Sequence, residues 1–300
     1  MSKIQEALRR LQKDSAEGQK SEAKPARRRQ GFSTGSGDPS LVPLTKKKKV
    51  TFDGPRHHLE QADLVAGGLL APLDHAVHVA DEFRQIKRPL IRNAIRGQGL
   101  PEDHLNVIMI ASALPKAGKT FCTVNLAVSM SLERELNVLL VDADVPKPHI
   151  SREFGLADEP GLIDLLVDDN QRIEDTLIRT DLNDIQVLPA GRTHPQATEL
   201  LASNKMSEII NELSLRYPDR IVLVDSPPLL ITSEAQALAT QVGQVVVVIE
   251  AGKTNHDMLD QTFESLDMSK AVNLVLNKSF NAGKDSYYGS DYGYYGYDNA

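Results

Sequence analysis

The chain has 300 residues, of which 41% are apolar and 5% aromatic, with 19 glycines, no tryptophan and one cysteine; that balance fits a globular core and excludes wholesale disorder. The single Cys122 excludes disulfide scaffolds and zinc ribbons and points to a reducing compartment. The net charge of −7 is unevenly placed: residues 1–60 hold 14 Lys and Arg against 7 Asp and Glu, and residues 61–300 hold 20 against 34, which describes a basic arm on an acidic body and argues against specific nucleic-acid binding.

In chain order, Ile4, Leu8 and Leu11 recur at helical spacing among Lys3, Arg9, Arg10 and Lys13, predicting a short amphipathic helix over 1–14. It reads either as a docking helix for a protein or anionic membrane surface, or as a solvated leader. Residues 15–72, with Arg27, Arg28, Arg29 and the run Lys46 to Lys49, read as a disordered basic linker. No apolar run approaches the 18 or so residues of a membrane-spanning helix, and the N-terminus lacks a signal-peptide core.

Beyond Pro72, Val77, Phe83, Ile86, Leu90, Ile91 and Ile95 predict a helix that Pro89 breaks or kinks. Short, β-branched apolar runs at 107–111, 138–141, 185–188, 221–224, 245–249 and 272–276 have the pattern of strands buried on both faces. Helical stretches at 120–133, 197–215, 233–240 and 256–266 separate them. Strands alternating with helices predict one α/β domain over 73–280, an open, mostly parallel sheet with helices on both faces. Six of the seven tyrosines, Tyr287, Tyr288, Tyr292, Tyr294, Tyr295 and Tyr297, crowd into a tail at 281–300 among glycine, serine and aspartate.

Ligands of such sheets bind at the carboxyl ends of the strands. After the strand at 107–111, the segment Ser112-Ala-Leu-Pro-Lys-Ala-Gly-Lys-Thr120 leads into a helix and ends as a Walker A loop does. Backbone N–H groups from Lys116 to Phe121 would face phosphates, Lys119 would reach the β and γ phosphates, and the Thr120 hydroxyl would ligate Mg²⁺. Ala113 stands where the full pattern has glycine, so a capped helix start is the competing reading of this triplet alone. The next loops favour nucleotide binding. Asp142 and Asp144 leave the strand at 138–141 spaced i, i+2, a repulsive pair unless a cation is near. Asp225 follows the strand at 221–224 in the Walker B arrangement.

Together, Pro-Lys-Ala-Gly-Lys-Thr120, Val-Leu-Leu-Val-Asp142-Ala-Asp144 and Val-Leu-Val-Asp225-Ser-Pro-Pro resemble the Walker A, A′ and B motifs of the bacterial tyrosine kinases, a branch of the deviant P-loop ATPases that includes MinD and ParA proteins. The leader helix, the segment beginning Glu82-Phe-Arg-Gln and the tyrosine tail look most like the stand-alone autokinases of exopolysaccharide export. The resemblance implies a P-loop scaffold that moves the ATP γ-phosphoryl onto tail tyrosines. Lys119 would stabilise the transferring group, and Thr120, Asp142 and Asp225 would organise Mg²⁺. Asp144 would assist the metal or take the tyrosine proton, and Asn277 would contact adenine. It also implies a cytoplasmic protein held at the inner membrane by a membrane-spanning polysaccharide co-polymerase, and ring assembly of the unphosphorylated form through Asp81, Arg84 and Lys87.

The sequence departs from the family at several points. Lys116 stands where glycine is usual, and either strains the loop or turns an extra positive charge to the phosphates. Pro146-Lys147 replaces a common arginine pair, and Lys87 replaces an arginine whose bidentate contacts lysine cannot reproduce. A non-kinase ATPase switch of the MinD/ParA type and a pseudokinase scaffold are the alternatives. Leu114, where those switches carry lysine, argues against the first. His75 and His78 lack the ligand set of a metal site, and Cys122 reads as a small apolar filler.

Overall fold

The computed structural model describes residues 56–72, 75–96, 104–216 and 219–279. The chain divides into two units, Met1–Pro55 and Arg56–Ala300, and every described residue belongs to the second. The leader helix at 1–14, most of the basic linker and the tyrosine tail lie outside the described residues.

All six expected strands form, and a seventh joins them. In chain order they are β1 (Val107–Ala111), β2 (Asn137–Asp142), β3 (Ile178–Arg179), β4 (Gln186–Leu188), β5 (Arg220–Asp225), β6 (Gln244–Glu250) and β7 (Ala271–Asn277). They make one sheet in the order β3-β4-β2-β5-β1-β6-β7. Every pairing is parallel except that of the two-residue β3 with β4. The phosphate-loop strand β1 is therefore internal, flanked by β5 and β6.

Strand side chains alternate between two cores, as the two-residue period demands. Val107, Met109 and Ala111 of β1 join Leu139, Val141, Val222, Val224, Val245 and Val247 on one face. Helices α5 (Leu162–Val167), α7 (Ala197–Leu201), α8 (Asn204–Leu215) and α9 (Ser233–Gln241) cover that face. Ile108 and Ile110 join Val138, Leu140, Ile221, Leu223, Val246 and Val248 on the other. There the cover comes from α1 (Gln61–Ala66), α2 (Ala76–Arg96), α3 (Lys119–Ser131) and α4 (His149–Glu153). Each fully buried Leu or Ile contributes about 1.5–3 kcal/mol of transfer free energy, which explains why polar residues on these strands are kept mostly to their ends. Two further helices, α6 (Ile173–Thr176) and α10 (His256–Glu264), complete the set among the described residues.

Three expectations change. The linker expected over 15–72 does not extend to residue 72: α1 lies inside it, and Leu59, Leu64 and Leu69 are buried in the α2–α3 core. The domain thus starts at Arg56. The start of this segment is stitched to the far edge of the sheet, His57 N–H donating to the Arg179 carbonyl at 2.7 Å and Asp181 N–H to the His57 carbonyl at 3.0 Å. The single helix expected over 197–215 is two, because Ser203 caps α8, its hydroxyl accepting from Met206 N–H at 3.3 Å. Pro89 does not end α2, which runs through it for 21 residues. Burial of Phe83, Leu90 and Ala94 on both sides of Pro89 offsets the roughly 3 kcal/mol that an interior proline costs.

Candidate functional site

The three motif loops meet at one edge of the sheet. Gly118 caps α3 in the left-handed region at φ 96°, and its own Cβ, if it had one, would sit 2.1 Å from the Asn277 amide nitrogen. Only glycine fits there. Lys116 is also left-handed, at φ 66°, a conformation that costs a side-chain-bearing residue about 1–2 kcal/mol. The β5 loop is tied to the same place: Ser226 Oγ donates to the Ile110 carbonyl at 2.9 Å, and Leu229 N–H to the Ser112 carbonyl at 2.9 Å.

Beneath the loop lie two carboxylates with no solvent exposure, Asp142 and Asp225. They are direct register partners at the ends of β2 and β5. Asp225 accepts from Thr120 Oγ1 at 2.7 Å and from Thr123 Oγ1 at 3.1 Å. Asp142 Oδ2 accepts from the backbone and hydroxyl of Ser151 at 2.8 and 2.7 Å, while its Oδ1 is buried with no hydrogen-bond partner. Burial, reinforced by Asp225, pushes the Asp142 carboxyl up to about 7. Burial likewise raises Asp225, against the pull of the Thr120 hydrogen bond and the Lys119 charge. Asp144 is half-buried; burial pushes it up to about 6, with Lys119 acting in the opposite direction.

A cleft of about 770 Å³ opens above these groups. Lys116, Gly118, Lys119, Thr120, Phe121, Asp144 and Asn277 line it, with Lys147, His149 and Arg152 on one wall and Pro227, Pro228 and Ile231 on another. Ala117 is buried under the loop, and its carbonyl accepts from Asn277 Nδ2 at 2.8 Å. The Asn277 side chain thus braces the loop from the cleft wall. Lys119 is 7% exposed, a charge held out of bulk water beside two acidic groups.

The residues fit Mg²⁺. An orphaned buried carboxylate oxygen, Asp142 Oδ1, is the state a metal ligand has before the ion satisfies it. Among the described residues no cluster of three or more His, Cys, Asp or Glu side chains forms a metal cage by itself. Mg²⁺ commonly binds through one or two carboxylates together with phosphate oxygens and water, which is the arrangement Thr120, Asp142 and Asp225 can serve.

Sequence reasoning missed Thr123 and Ser151, the hydrogen-bond donors that hold the two buried carboxylates. Thr123 was within reach, being one helical turn beyond Thr120 and so on the same face of α3. Ser151 was not, since nine residues and a change of direction separate it from Asp142.

Of the residues expected to mediate assembly, Asp81 and Arg84 are exposed and paired with each other. Lys87 is instead 5% exposed and bound within its own chain, donating to the Ser129 carbonyl at 2.5 Å and pairing with Glu133 at 2.7 Å. It ties α2 to the C-terminal end of α3, where a positive charge complements the helix dipole. Cys122 is buried on the α3 face toward the sheet, as an apolar filler is. Among the described residues no helix is long and apolar enough to cross a membrane.

Residues 105–281 match the family model described as an AAA domain. The tyrosine-protein kinase YwqD of Bacillus subtilis is 34% identical over 191 residues, covering 63% of this chain and 77% of that protein. The putative tyrosine-protein kinase CapB of Staphylococcus aureus is 30% identical over 219 residues, covering 71% of this chain and 91% of that protein. Among solved structures, the BceF tyrosine kinase domain superposes with a TM-score of 0.58 at 25% identity, covering 74% of this chain and 92% of its own. With the phosphate loop, the paired carboxylates and these relatives in agreement, the chain belongs to the bacterial tyrosine-protein kinases, built on an α/β P-loop nucleotide-binding domain.

Proposed function

We propose that the chain uses ATP and Mg²⁺ to phosphorylate the tyrosines of its own C-terminal tail, Tyr287, Tyr288, Tyr292, Tyr294, Tyr295 and Tyr297, within an exopolysaccharide export system. The observation that carries this reading is the buried Asp142–Asp225 pair, with one unpartnered oxygen, directly under Lys119 and Thr120. That arrangement supplies anions for a cation and a cation for phosphate at one point.

Backbone N–H groups of the loop and the α3 N-terminus bind the phosphates. Lys119, largely out of water, stabilises charge on the transferring phosphoryl, which is spread over three equatorial oxygens. Mg²⁺, when bound, would neutralise phosphate charge, and Thr120, Asp142 and Asp225 are the groups that would hold it. A tyrosine hydroxyl ionises near pH 10 and needs a base at neutral pH. Asp144 opens onto the cleft and, with its carboxyl at about 6, is ionised at pH 7.5 yet basic enough to accept that proton. The bond between the γ-phosphorus and the bridging oxygen of the β-phosphate breaks, ADP leaves with that oxygen, and the phosphorus bonds to the tyrosine oxygen whose proton passes to Asp144.

Each phosphotyrosine adds about −1.5 to −2 charges to a body already carrying 34 acidic against 20 basic residues over 61–300, so successive modification weakens association between copies. The partner implied is a membrane-spanning co-polymerase that activates the kinase at the inner membrane. Purified protein is incubated with ATP and Mg²⁺, alone and with the partner's cytoplasmic segment, and phosphate is mapped by mass spectrometry. Tail phosphotyrosine that disappears in Lys119→Met supports the proposal, and its absence from the wild-type protein in both incubations sinks it.

A further inference from the structure

The middle of the phosphate loop, Lys116 and Ala117, is gripped from the C-terminal end of β7. Asn277 Nδ2 donates to the Ala117 carbonyl at 2.8 Å. The next residue, Lys278, donates from Nζ to the Lys116 carbonyl at 2.6 Å and reaches Glu250 Oε1 at 3.1 Å. Glu250 ends β6 as the register partner of Asn277, and it also holds Lys253 at 2.7 Å. Two adjacent residues of one strand end thus grip two adjacent carbonyls of the loop.

The grip falls where the loop is least able to hold itself. Lys116 adopts φ 66° with a side chain, and Lys278 adopts φ 58° to reach it. A glycine would enter the left-handed region freely, whereas a lysine relaxes out of it unless something fixes the peptide. The Lys278 ammonium is engaged by a carbonyl and a carboxylate, which makes it a strut and leaves phosphate contact to Lys119.

We propose that Lys278, anchored by Glu250, is a positioning residue for the nucleotide loop, holding the Lys116 peptide in the left-handed conformation that its own side chain disfavours. The inference rests on the nucleotide-binding reading only in its second readout. Asn277 braces Ala117 independently, so the loss of Lys278 loosens the front of the loop without unfolding the domain. Because the burden comes from the side chain at residue 116, removing that side chain removes the need for the strut.

The test compares the full-length wild-type protein with Lys278→Met, Lys278→Arg, Lys116→Gly and the double variant Lys116→Gly/Lys278→Met. The first readout is amide exchange in nucleotide-free protein at Cys122, whose N–H donates to the Gly118 carbonyl at 2.9 Å. Lys278→Met is expected to speed that exchange about tenfold while β1 amides are unchanged, since only the loop end of α3 opens. The second readout is ADP affinity by calorimetry, expected to fall about tenfold in Lys278→Met, the effect of losing one charge-assisted hydrogen bond, and to be restored by Lys278→Arg. In the Lys116→Gly background the same lysine-to-methionine change should alter both readouts by less than about twofold. Equal losses in both backgrounds, or unchanged Cys122 exchange in Lys278→Met, would overturn the inference. If the wild-type protein binds no ADP, the nucleotide reading fails by itself, and the exchange measurements still decide the role of Lys278.

Discussion

Asp142 and Asp225 end adjacent parallel strands as direct partners, both sealed from solvent, with Lys119 bearing on Asp225 from the loop above. Ionising both in that position costs free energy in the metal-free protein. That cost has a pH signature. Asp142 titrates at about 7 in the fold against a reference of 3.8, so the folded state keeps its proton to higher pH than the unfolded chain does. Stability contributed by this proton is present at low pH and declines as pH rises from about 4 to about 7. Asp142→Asn should therefore leave the nucleotide-free protein unchanged near pH 4 and make it more stable by about 2–4 kcal/mol at pH 8. Urea melts at the two pH values check this, and equal stability at pH 8 would contradict it. The same variant should lose stabilisation by Mg²⁺–ADP.

Thr120 carries one hydroxyl between the cleft and the buried Asp225. Thr120→Val should lower kinase activity and Mg²⁺ affinity about 10–100-fold, as loss of a group that orients metal ligands does. Thr120→Ser keeps the donor and should retain most of both. Titrating activity against Mg²⁺ at saturating ATP distinguishes weaker metal binding from general damage.

Lys87 and Arg84 lie one helical turn apart on α2 and should behave differently. Lys87→Met removes a buried cation from the Ser129 carbonyl and Glu133, and should cost about 1–3 kcal/mol of stability. Arg84→Ala removes half of an exposed pair and should change stability by less than about 0.5 kcal/mol. Thermal melts measure the first difference. Light scattering asks whether Arg84→Ala alone alters assembly size, as an interface residue would.

Cys122 should be chemically silent. Its thiol is buried, and burial with the nearby Asp225 charge pushes it up to about 12, so almost no thiolate exists at pH 8. A chromogenic disulfide reagent should find no thiol in the native protein at that pH and one per chain in urea. Fast native labelling would show that α3 opens away from the sheet.

The strands were legible because burial on both faces forces consecutive β-branched residues, a pattern local in sequence. Val107 to Ala111 and Val245 to Ile249 could be read from composition alone. Lys119, Asp142 and Asp225 were legible for a second reason, since each follows such a strand and the ends of parallel strands converge. The burial of Lys87 was not legible because α2 presents its residues at 100° intervals, and sequence spacing shared with Asp81 and Arg84 does not reveal which way α3 lies. The Lys278 contact was hidden by 162 residues of separation from Lys116. The boundary at Arg56 was missed because three leucines, Leu59, Leu64 and Leu69, stand among polar neighbours and form no long apolar run.

The division of the sheet into two cores has a practical corollary for mutational screens. Ile108 and Met109 are neighbours in sequence, yet the first faces the α3 core and the second the α8 core. Trimming Ile108 should loosen the packing beneath the phosphate loop helix, whereas trimming Met109 should loosen the opposite layer and leave that helix seated. Successive codons of β1 therefore sample opposite halves of the molecule: with all five residues buried, tolerance along the strand should be uniformly low while the layer that loosens alternates with every residue.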